Sequence, residues 1–164
     1  MKYVFLTLTV FVLCVVQTAL LGVIEIYGVI PNLLLVSVIC YSLMRGDLRS
    51  IVFGSAVGFI LDILSGRMVG MNLLMCTLTA MMCACLFETL FNNNSFVASV
   101  FVLWITALYE FFIYMFYFLF WGDTNIVFAI FHKILPCALY NAVSAFFIYP
   151  IMRKISSLEK ADND

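Results

Sequence analysis

Two carboxylates stand inside long apolar runs of this 164-residue chain: Asp62 in "GFILDILSGRMVG" (58–70) and Glu110 in "LYEFFIY" (108–114). A carboxylate can serve as acid, base or cation ligand. At the centre of a membrane span, however, it costs ~2.5–3.5 kcal/mol, so it must be neutral, paired or turned toward a polar cavity. Asp62 therefore reads either as a binding or coupling site, or as an acid that caps or hydrogen-bonds the broken end of its own short helix beside Arg67. Glu110 reads as a carboxyl hydrogen-bonded to a neighbouring helix, with a functional role as the alternative. Asn141, in "PCALYNAVSAFFIYP" (136–150), is an amide that needs a partner on another helix.

Other reactive side chains read as structural. His132, the single histidine, and Lys133 open the last apolar segment, where an interfacial position accounts for both. Glu25 and Glu88 fall at segment ends within reach of headgroups. The six cysteines all lie in apolar segments; Cys76 and Cys83 share a helix face but are separated by ~10 Å of rise, too far for a disulfide. They read as small packing residues. H-E-x-x-H, C-x-x-C, G-x-S-x-G and a Walker lysine are absent, so no catalytic, cofactor or metal site is assigned.

The elements that must position these residues are helices in a bilayer. Apolar residues make up 66% of the chain, charged residues 10%, and mean hydropathy is +1.17. A soluble domain carries about 25% charged residues. A net charge of −1 gives no reason to expect nucleic acid as a partner. Six apolar segments (3–24, 27–44, 51–66, 70–91, 95–121 and 130–152) predict an all-α polytopic membrane bundle of six transmembrane helices forming a single domain over 1–164. The first is too long for a signal-peptide core and reads as retained. With the N-terminus inside, Lys2, Arg45, Arg49, Arg153, Lys154 and Lys160 are cytoplasmic and only Arg67 and Lys133 are outside, which places both termini in the cytoplasm. Pro31, in "GVIPN" (28–32), suits the first turn of the second helix. "MRGDLRS" (44–50) and the tail "RKISSLEKADND" (153–164) offer the only sizeable cytosolic surfaces.

The third segment, of sixteen residues, is the short one, rising ~24 Å against a ~30 Å hydrocarbon core. Gly66 and Gly70 predict an unwound end. Gly54, Gly58, Asp62 and Gly66 recur at every fourth position and form one smooth face, the usual device for close helix approach in lipid.

"GSAVGFILDILSGRMVGMNLLM" (54–75) resembles the signature region of the MreD family of bacterial rod-shape-determining membrane proteins, with Gly58, Asp62, Ser65, Gly66 and Gly70 carrying its most specific part. Pro31 and Asn32 resemble the family's proline-polar pair, and "LYNAVSAFFIYPIMRKI" (139–155), with Asn141, resembles its last helix. The resemblance implies a non-catalytic scaffold of the elongation machinery in the bacterial inner membrane. Such a scaffold binds the bitopic protein MreC and links MreB filaments to RodA and its transpeptidase partner. It also implies a fold similar to the substrate-binding subunits of energy-coupling-factor transporters, whose function, a small-molecule or lipid-binding subunit, is the alternative. On this reading Asp62 and Arg67 define a polar pocket near the outer leaflet, and that pocket or the groove beside it meets a partner or membrane lipid.

Overall fold

The structure, a computed structural model, describes residues 2–20, 29–66, 70–86, 95–121 and 126–161. Glu25, Arg67 and Glu88 lie outside the described residues. The chain forms α1 (Lys2–Leu20), α2 (Leu33–Arg45), α3 (Leu48–Ser65), α4 (Met71–Leu86), α5 (Ser95–Trp121), the single turn α6 (Ile126–Ala129), a π turn (Ile130–Ile134) and α7 (Leu135–Ala161). Leu48–Ser65, Ser95–Leu119 and Ile130–Ser157 are long and apolar enough to cross a membrane, whereas Phe5–Ala19, Leu33–Arg45 and Met71–Leu86 are shorter apolar helices. Large apolar side chains point outward, among them Trp104 (65% exposed) and Phe147 (66%), as on a surface built for lipid.

The bundle is organised around α2. Leu34, Leu35, Val36, Val38 and Ile39 are all fully buried, although successive residues point in different directions around a helix. Such a helix must be enclosed on every side; α1, α3, α4, α5 and α7 all pack against it. This corrects the expectation that the third segment is the short one. With Leu48 as its first residue α3 has 18 residues, ~27 Å of rise, while α2 has 13 residues and ~20 Å. A helix wrapped in protein need not match the hydrocarbon thickness.

Caps set the ends of α2 and α3. Asn32 is the N-cap of α2, its side chain accepting the Leu35 N–H at 3.1 Å, so Pro31 precedes the helix and does not occupy its first turn. Gly46 (φ 62°) ends α2 in the left-handed region, and Asp47 immediately caps α3 by accepting the Ser50 N–H at 3.2 Å. "MRGDLRS" is thus a two-residue connector rather than an open loop. The Arg45 side chain is 4% exposed with Nε 3.6 Å from Asp47 Oδ2, which removes this arginine from any surface for cytosolic partners.

The π turn has a local cause. Pro136 has no N–H to give and its ring crowds the preceding turn, so the ladder widens and Leu135 N–H bonds Ile130 O, five residues back.

Candidate functional site

The glycine stripe packs against the next helix of the same chain. A Cβ on Gly58 would lie 2.7 Å from both Asn72 O and Leu73 Cα, and one on Gly54 would lie 2.6 Å from Ala80 Cβ, so α3 and α4 touch backbone to backbone. One turn beyond Gly58 stands Asp62, 2% exposed. Its Oδ2 accepts the N–H groups of Gly70 (2.9 Å) and Leu73 (3.0 Å), and its Oδ1 accepts that of Asn72 (2.9 Å). These are the N–H groups that helix geometry leaves without partners at the start of α4. Gly70 occupies the capping position without a side chain, and Asp62 supplies the cap from eight residues upstream, where the helix dipole also favours negative charge.

The acid therefore caps the following helix, not its own, which corrects the capping alternative. Its backbone still serves α3, because Asp62 O accepts the N–H of Gly66 at 3.2 Å, where Gly66 (φ 58°) turns the chain out of the helix. Gly70 (φ 97°) makes the second left-handed step. Ser65 Oγ donates to Leu61 O (2.6 Å) and accepts from Asn72 Nδ2 (3.4 Å). Gly58, Asp62, Ser65, Gly66 and Gly70 thus each have a part in closing the α3–α4 hairpin. Arg67, expected to share a pocket with Asp62, lies outside the described residues.

A second clamp joins the other two stretches. Asn141 is fully buried on α7; its Oδ1 accepts the Asn32 N–H at 2.8 Å, and its Nδ2 donates to Thr106 Oγ1 on α5 at 3.5 Å. Another amide, Gln17 of α1, accepts the Leu34 N–H at 3.1 Å. Three sequence-distant helices, α1, α5 and α7, are thus tied to the start of α2 through the amides of Gln17 and Asn141.

Between the clamps lies a cavity of about 380 Å³, lined by Gln17, Asn32, Asn72, Tyr109, Glu110 and Lys133 together with apolar residues of α3 and α5. Tyr109 is 2% exposed and donates to Asn72 Oδ1 at 2.7 Å, linking α5 to the α3–α4 hairpin. Glu110 Oε1 accepts the Cys137 thiol at 3.8 Å, so this acid has a neighbour on α7 and also borders the cavity. Gln17, Asn72, Tyr109 and Lys133 were not singled out as site residues in the sequence. Tyr109 had a visible signal beside Glu110; Gln17 and Asn72 are ordinary polar residues near helix ends.

These features define a class of protein: a small helical bundle with lipid-suited outer faces, closed at one end by polar clamps around a cavity. The chain belongs to the rod shape-determining MreD family, whose model matches residues 1–158. Searches of curated proteins and of solved structures return no match.

Proposed function

We propose that this protein is a non-catalytic scaffold of the rod elongation complex. It sits as a six-span protein in the bacterial inner membrane with both termini cytoplasmic. It binds an MreC-like bitopic protein and, through it, helps couple MreB filaments to RodA and its transpeptidase partner. Family membership over residues 1–158 carries this reading. The engagement of Asp62 and Asn141 in hydrogen bonds that hold helices together supports it, because side chains spent on the fold suit a rigid platform. The topology rests on the bias of lysine and arginine, which puts the clamped end of the bundle outside.

Affinity purification of the tagged chain from its own cells tests the proposal. An MreC-like protein is expected in the eluate, and depletion of the chain is expected to round rod-shaped cells. An eluate without an MreC-like protein, together with unchanged cell shape on depletion, would count against a scaffold. The 380 Å³ cavity favours a second reading, a small-molecule-binding subunit akin to those of energy-coupling-factor transporters. Co-purification with an ATPase pair and a vitamin-like ligand would support that reading over the first.

A further inference from the structure

The polar cavity does not stand by itself: a second hollow, about 390 Å³, runs between α1 and α3 and is lined by apolar side chains including Val10, Cys14, Phe53, Val57 and Ile60. On both helices the polar cavity begins where this groove ends. Gln17 follows Cys14 by three residues on α1, and Leu61 and Leu64 follow Ile60 on α3. Along α1 the groove extends from Leu6 to Cys14, ~12 Å of helix. The apolar groove and the polar chamber thus follow one another along the same two helices, each with its own lining residues.

The chamber's chemistry is biased. The carbonyl oxygens of Gln17 and Asn32 are both taken by backbone N–H groups of α2, so each amide presents its NH₂ group, which holds no hydrogen bond among the described residues. The exposed Lys133 ammonium likewise has no ion pair among the described residues. Three donors thus await acceptor oxygens. Glu110, the acid among the lining residues, balances the charge of Lys133. A ligand matching this surface carries an anionic oxygen-rich group for the donors, a cationic group for Glu110, no net charge, and an apolar chain.

We propose that the groove and chamber together bind one molecule of a zwitterionic phospholipid, of the phosphatidylethanolamine type. Its phosphate meets Gln17, Asn32 and Lys133, its ammonium meets Glu110, and one acyl chain lies between α1 and α3. Charged hydrogen bonds of this kind are the stronger ones, and they act here beside low-dielectric walls.

The experiment uses the purified full chain in lipid-free detergent, loaded with a phosphatidylethanolamine carrying a diazirine near the end of one acyl chain. Cross-links are expected on the groove residues of α1 and α3. Lys133→Gln and Gln17→Leu are each expected to lower retained lipid about tenfold. Ala56→Trp, on the exposed rim of the groove, is expected to abolish the cross-link while the unfolding temperature stays that of the unchanged protein. Equal retention of phosphatidylglycerol overturns selection of a zwitterion. Equal competition by glycerophosphoethanolamine, which has no acyl chain, overturns the groove's part and points to a free solute. The assay contains no other protein, so its failure leaves the scaffold reading standing.

Discussion

Asp62 illustrates how a side chain can be conspicuous in a sequence while its partners are not. An acid in an apolar run announces itself, but its three donors are backbone N–H groups, which no side-chain pattern displays. The available signal is negative: "GMNLL" (70–74) starts a helix with glycine in the capping position, and such a start needs an acceptor from elsewhere. Asp62→Asn replaces one acceptor oxygen with a donor that faces N–H groups. A loss of ~1–3 kcal/mol is expected, read as a lower unfolding temperature in detergent. Unchanged stability would mean that the carboxylate does not close the hairpin. Asn141→Leu keeps the volume but leaves the Asn32 N–H without its acceptor, with an expected loss of similar size, ~1–3 kcal/mol, in the same measurement.

At the scale of the element, the α3–α4 hairpin uses glycine for two different reasons. Gly58 is required by proximity, since a Cβ would fall 2.7 Å from α4 backbone. Gly66 is required by conformation, with φ 58° and no atom within 4 Å of an added Cβ. Asparagine tolerates the left-handed region but needs room. Gly66→Asn is therefore expected to preserve most of the stability, and Gly58→Asn to cost at least the ~1–3 kcal/mol typical of overpacking. Thermal unfolding of the two variants side by side checks this, and equal losses would count against the distinction. Spacing in the sequence revealed the smooth face and the break at its end. It did not reveal that α4 fills the face, because a four-residue repeat specifies close approach without naming the helix that approaches.

For the molecule as a whole, the six helical segments were legible, and the enclosed position of α2 was not. Protein and lipid are both apolar neighbours, so a helix surrounded by other helices carries the same kind of sequence as one surrounded by acyl chains. Leu35→Ala, at a fully buried position of α2, is expected to cost ~2–5 kcal/mol. Phe147→Ala, 66% exposed on α7, is expected to stay within about 0.5 kcal/mol, the usual range for surface changes. Denaturation in mild detergent compares the two; the reverse order would displace α2 from the centre. The capped hairpin also bears on how the chain is made. During synthesis α3 emerges before the N–H groups that its acid requires, and the last of these belongs to Leu73. Released into lipid earlier, α3 would carry a carboxylate with no donor, so it is expected to wait in the translocation channel until α4 has begun to follow. Nascent chains stopped before Gly70 test this, and efficient insertion of α3 from them would refute it. If the expectation holds, the acid makes the hairpin, not the single helix, the unit that the membrane accepts.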